Sequence, residues 1–200
     1  MNRSSRISVE LIMEQCWHNQ IIFGSGINGG ALWELKANGS GEKVVLSNIP
    51  KFEGSVSFAK DDMSDLQSLP ENHYCVPDHT NFPTVDSFVA LINPFCDLKN
   101  NKLCLVGFQM TTGEKKHLKL VGGRRIRAKF QELCKETLDT SNMYIVFVTT
   151  EKNAPSLLKK KRVKWIIESG EESEEFRDVR QFVLVMPDSL GIVPVENMSD

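Results

Sequence analysis

Two apolar runs separated by a polar turn constrain this chain more than any other feature. Residues 85–92 (VDSFVALI) carry one carboxylate, Asp86, at their mouth. Residues 102–112 (KLCLVGFQMTT) crowd their polar side chains, Gln109, Thr111 and Thr112, at the far end. Near-continuous apolar segments of this length are what strands buried on both faces require. The link at 93–101 (NPFCDLKNN) is rich in turn formers, so the two runs are expected to pair as an antiparallel hairpin. Folding about residues 97 and 98 sets Asp86 opposite Gln109. Side chains alternate along a strand, so Gln109 and Thr111 share a face. A carboxylate, an amide and a hydroxyl then converge at one end of a hydrophobic sheet. The alternative is that Asp86 opens its strand by hydrogen bonding a turn, with Gln109 and Thr111 as satisfied polar residues at a sheet end.

The 200-residue chain can bury a substantial core and is expected to form one domain over 24–188, after a helical lead-in at 1–23 and before a frayed tail at 189–200. With 40% hydrophobic and 25% charged residues, no run is long enough to span a membrane. The first residues lack the apolar core and cleavage site of a signal peptide. Five cysteines, Cys16, Cys75, Cys96, Cys104 and Cys134, form no CxxC pair. This argues against a zinc site or a disulfide framework and for reduced thiols in an intracellular compartment. Cys104, inside the second apolar run, reads as core packing.

A net charge of −2 hides strong segregation. Residues 115–129 hold seven Lys or Arg and no acid, and 158–164 (LKKKRVK) add five more. Residues 168–178 then carry six acids and one Arg. A charge run can be merely a solvated face, but two basic clusters after a strand-end constellation point to a polyanionic partner.

Along the chain, residues 7–15 are compatible with a short amphipathic helix. The glycine-rich 24–30 (GSGINGG) lacks the Gly-Lys-Ser/Thr of a phosphate-binding loop and the strand-turn-helix setting of a dinucleotide fingerprint. It reads as a turn feeding a short helix at 30–36, ended at Asn38-Gly39, with Leu32 and Trp33 inward and Glu34 facing core or cleft. Short strands are expected on either side of Pro50. Gly122-Gly123 opens a helix in which Ile126, Phe130, Leu133, Cys134 and Thr137 form one stripe, leaving Arg124, Arg125, Lys129 and Glu132 mainly outside. Residues 142–150, 164–167 and 180–186 read as strands. The order predicts an α/β or α+β fold, a mixed sheet with flanking helices.

The run Val76-Pro77, Asn81-Phe82-Pro83, Val85-Asp86, residues 106–112 (VGFQMTT) and His117 resembles the C-terminal region of trypanosomatid retrotransposon hot spot proteins. It is similar, more loosely, to the nuclease-like C-terminal domains of Crinkler effectors. The segments 30–34 and 144–148 follow in the family's order, so the resemblance covers 24–187. It implies a PD-(D/E)xK, restriction-endonuclease-like fold, nuclear association and links to transcription or chromatin proteins. It also implies an upstream ATPase domain, absent here, and hence a C-terminal domain or a truncated member.

Such a fold holds Mg²⁺ or Mn²⁺ with carboxylates and uses a lysine to orient or deprotonate the attacking water. By that resemblance Asp86 matches the first carboxylate and Gln109 stands where a second acid would be. Glu34 is the supporting metal ligand, and Thr111 occupies the lysine position. Lys115, Lys116 or Lys119 would then reach back to supply the missing charge. Lys115, Lys119, Arg124, Arg125 and Lys129 would contact nucleic acid, DNA or RNA, with His117 on the surface or at a phosphate. The implied function is a nucleic-acid-associated domain with a degenerate metal-dependent nuclease site, or a catalytically silent interaction module. Residues 159–162 (KKKR) have the charge density of a nuclear import signal, or of a basic strand edge.

Overall fold

The apolar runs become the middle of an eight-stranded mixed sheet. The computed structural model describes residues 16–19, 31–36, 41–44, 52–59, 62–78, 83–92, 102–111, 117–135, 137–159 and 162–187. Outside the described residues lie the expected helix at 7–15, the turn at 24–30, Asn38-Gly39, Pro50, the hairpin turn at 93–101, Lys115, Lys116 and the tail from 189.

The strands are β1 (Ala31–Leu35), β2 (Gly41–Val44), β3 (Gly54–Phe58), β4 (His73–Pro77), β5 (Ser87–Ile92), β6 (Leu103–Met110), β7 (His117–Lys119), β8 (Met143–Thr150), β9 (Lys164–Ile166) and β10 (Arg180–Met186). Two helices are α1 (Leu120–Cys134) and α2 (Ala154–Leu158), and residues 16–19 are helical as well. Sheet order is β2-β1-β10-β8-β6-β5-β4-β3, with β7 and β9 forming a separate parallel pair. β5 and β6 are antiparallel, with Ser87 opposite Phe108 and Ile92 opposite Leu103. That antiparallel register is the one the sequence predicts for the two runs. From β6 the chain passes through β7 and α1 to β8, which lies parallel to β6 and to β10.

β8 is buried along its whole length, and β6 along all but its first residue. Each sheet face therefore carries its own core. On one face Phe88, Leu105, Ile145, Phe147 and Val183 pack with Ile126 and Phe130 of α1 and with Trp165 and Phe176. On the other, Tyr74, Val106, Phe108, Val146 and Phe182 pack with Trp17 and Phe52. Cys75 and Cys104 are fully buried among these residues, and burial pushes the Cys75 thiol up to about 12.

Three expectations are corrected. Residues 31–35 form a strand, not a helix: their helix-favouring Ala, Leu and Glu are overridden by ladders to β2 and β10 on either side. The long helix begins at Leu120, with the two glycines inside its first turn. A Cβ on Gly122 would stand 2.0 Å from the Pro83 carbonyl oxygen, and one on Gly123 would meet the Trp165 ring at 2.7 Å. Close approach, not helix opening, is what these glycines permit. Lys129, expected outside, is buried along its stem, with its ammonium 3.1 Å from Glu132. No helix among the described residues is long and apolar enough to cross a membrane.

Candidate functional site at the β5–β6 strand end

The mouth of the central hairpin is pinned from both sides. Just before β5, Thr84 takes a φ of 87°, unusual for a β-branched residue. Its hydroxyl donates to the Lys119 carbonyl, and Pro83 lies against Gly122. This fixes residues 83–86 to the start of α1. The Asp86 amide then donates to Phe108 O at 2.7 Å, extending the ladder, and the register sets Asp86 opposite Gln109.

The carboxylate and the amide do meet. Gln109 Nε2 donates to Asp86 Oδ2 at 2.7 Å, and the Met110 backbone N–H donates to the same oxygen at 2.5 Å. Gln109 and Met110 are both buried. An amide beside a carboxylate must turn its nitrogen inward, because its oxygen would be repelled. Thr111 follows, its backbone N–H donating to Val148 O at 2.9 Å. The carboxylate and amide of the expected constellation thus meet, and the carboxylate is engaged by two N–H donors.

Glu34 stands elsewhere. It lies in register with Phe182, hence on the face of Phe182, Val146 and Phe108, while Gln109 faces the opposite side. Three strands, β10, β8 and β6, separate β1 from β5. Arg180 Nε is 2.9 Å from one Glu34 oxygen, and Arg180 Nη2 and Lys36 Nζ are 3.1 and 2.6 Å from the other. Burial pulls the Glu34 pKa upward, but the hydrogen bonds and charges of Arg180 and Lys36 outweigh it and hold the carboxyl below its ordinary value. The Arg180 guanidinium also lies over the Tyr144 and Phe182 rings, at 5.9 and 5.3 Å.

These placements do not fit the implied Mg²⁺ or Mn²⁺. Asp86 supplies a carboxylate, Gln109 presents nitrogen to it, and Glu34 belongs to another ion group. Among the described residues no group of three His, Cys, Asp or Glu side chains could hold a metal ion.

The basic segment is partly neutralised from within. Arg124 contacts Glu175 at 2.5 Å through Nη2 and 2.7 Å through Nε, and Lys164 contacts Glu172 at 2.5 Å. Arg127, which sequence reasoning missed, donates from Nε to Leu138 O at 3.1 Å, with Nη1 4.0 Å from Glu175. Lys119, Arg125 and His117 are exposed. A buried polar group on the other face was also missed. Ser87 Oγ donates to the Tyr74 hydroxyl at 2.5 Å, and His18 Nδ1 lies 2.9 Å from that hydroxyl. Nothing in the spacing of three residues this far apart announces that contact.

Compared with known proteins, the chain matches no family model, no curated protein and no solved structure. Its class is that of a mixed α/β protein with one large sheet and few helices.

Proposed function

We propose that this chain is a nucleic-acid-associated domain of the retrotransposon hot spot type, with a degenerate, non-cleaving nuclease centre. The observation that carries this reading is the Asp86 carboxylate closed by Gln109 and Met110 at the β5–β6 strand end. Support for a restriction-endonuclease-like ancestry comes from the antiparallel β4–β5–β6 succession and the crossover through α1 to parallel β8. The exposed cations Lys119 and Arg125 are the proposed phosphate contacts, together with Lys115, which lies outside the described residues.

The test is binding without cleavage. Affinity for a labelled duplex oligonucleotide is expected to fall with salt at a log–log slope of roughly −0.9 per phosphate contacted. Lys119→Glu with Arg125→Glu should flatten that slope by about 1.8 and weaken all sequences alike. Incubation with Mn²⁺ should leave the oligonucleotide intact. Metal-dependent cleavage would refute the silent centre, and salt-independent binding would favour a protein partner from transcription or chromatin.

Nuclear residence belongs to the same proposal. Arg162 of the 159–162 cluster donates to Arg177 O at 2.7 Å, so the informative change spares it. Replacing Lys159, Lys160 and Lys161 by Gln should lower the nuclear fraction of a tagged protein. An unchanged distribution would remove localisation from the reading.

A further inference from the structure

The acidic segment 168–178 packs against the same helix that carries the basic run, and its anchorage is firm. Ser173 N donates to Trp165 O at 2.8 Å, and Glu172 bridges to Ile166. Phe176 is fully buried, its ring 4.8 Å from that of Trp165. The backbone beneath Glu175 is therefore held, while the Glu175 side chain itself remains 32% exposed. One Glu175 oxygen accepts from Arg124 and the other lies near Arg127, one helical turn further along α1. Arg127 is positioned by the Leu138 carbonyl as well. Two guanidiniums flanking one oxyanion are also how arginines take a phosphate, by the same forked, charge-assisted bonds.

We propose that Arg124 and Arg127 form a seat for one phosphate of bound nucleic acid, and that Glu175 fills this seat in the unbound protein as a built-in competitor. The inference rests on the nucleic-acid reading above and names both a contact and its regulation. Displacement needs only rotation of the Glu175 side chain about its own bonds. A competing carboxylate lowers affinity and removes one counterion-releasing contact, so binding demands a ligand able to outbid a tethered anion. Glu174 supplies the control. It pairs with Arg177 at 3.1 Å, both side chains about three-quarters exposed.

The experiment is fluorescence anisotropy with a labelled duplex oligonucleotide across a salt series. Glu175→Gln is expected to tighten binding roughly 2- to 30-fold, the range expected from releasing two exposed ion pairs. It should also steepen the log–log slope by about 0.9, one phosphate. Introduced on top of Arg124→Gln and Arg127→Gln, it should do neither. Glu174→Gln makes the same change in net charge away from the seat and should have little effect. Equal gains from Glu174→Gln and Glu175→Gln would overturn the seat in favour of bulk charge. Binding by the unmodified protein that Glu175→Gln leaves unchanged would overturn the seat alone. Failure of every one of these proteins to bind would overturn the nucleic-acid reading and the seat with it.

Discussion

Replacing Asp86 by Ala should lower the unfolding free energy by about 2–4 kcal/mol. The carboxylate accepts from Gln109 Nε2 and Met110 N, both on buried residues. Removing it leaves Met110 N without its acceptor, at about 1–3 kcal/mol for an unsatisfied buried group, and leaves Gln109 Nε2 only its long 3.4 Å contact to Met110 O, at about 1 kcal/mol more. For a chain of 200 residues that corresponds to a fall in Tm of roughly 4–16 °C. A carboxylate kept for catalysis among like charges would behave in the opposite sense, since its removal relieves repulsion. Asp86→Asn, which keeps an acceptor without the charge, should lose less than Ala. Gln109→Glu should also destabilise, because it sets a second carboxylate against the first. Urea unfolding with and without Mn²⁺ checks all three. Stability that holds or rises in Asp86→Ala, or an Mn²⁺-dependent stabilisation that the variant loses, would show the residue is held for a ligand.

Arg180→Met is the second large effect. Glu34 is 7% exposed at its side chain and would retain only Lys36, itself 38% exposed. Breaking a buried pair by removing one partner costs about 3–5 kcal/mol. The surviving lysine and the partial exposure of Arg180 bring the expected loss to about 2–3 kcal/mol. The pH dependence identifies the cause. The folded Glu34 carboxyl titrates below its unfolded value of 4.5. Its stabilisation is therefore complete above 4.5 and is lost as pH falls through the folded value. In Arg180→Met the desolvation of Glu34 is opposed by Lys36 alone, so the carboxylate form becomes the costly one. The stability gap between the two proteins should be widest at neutral pH and narrow as the carboxyl protonates. A gap independent of pH would mean that Arg180 contributes by packing on Tyr144 and Phe182 rather than by charge.

The central hairpin was legible because its register is a local property. Turn formers at 93–101 and an unbroken apolar stretch on each side suffice to place Asp86 against Gln109. β8 and β10 were legible from local sequence too, since the apolar runs 143–148 and 182–186 are short and rich in β-branched and aromatic residues, which favours a strand over a helix. Residues 31–35 were not. Their side chains suit a helix, and the ladder that makes them a strand comes from residues 180–186 at the far end of the chain. Glu34 went astray with them, since its place in the site depended on a helix that does not form. β7 is only three residues long and runs straight into α1, too short for any period to show. The basic run was visible, but not which cations the acidic segment would engage. That depends on Phe176 and Trp165 bringing 168–178 beneath the helix.

One property of the sheet bears on how the protein is made. β10 comes last among the described strands, yet it lies between β1 and β8. During synthesis β1 and β2 therefore have only each other until residues 180–186 emerge, and two strands alone are marginal in water. Over the same interval β8 offers a bare apolar edge to any passing chain. Closure joins Ala31 to Val185 across most of the sequence, a slow contact to form. The vulnerable form of this protein is thus its nascent one, in the interval between the emergence of β8 and that of β10.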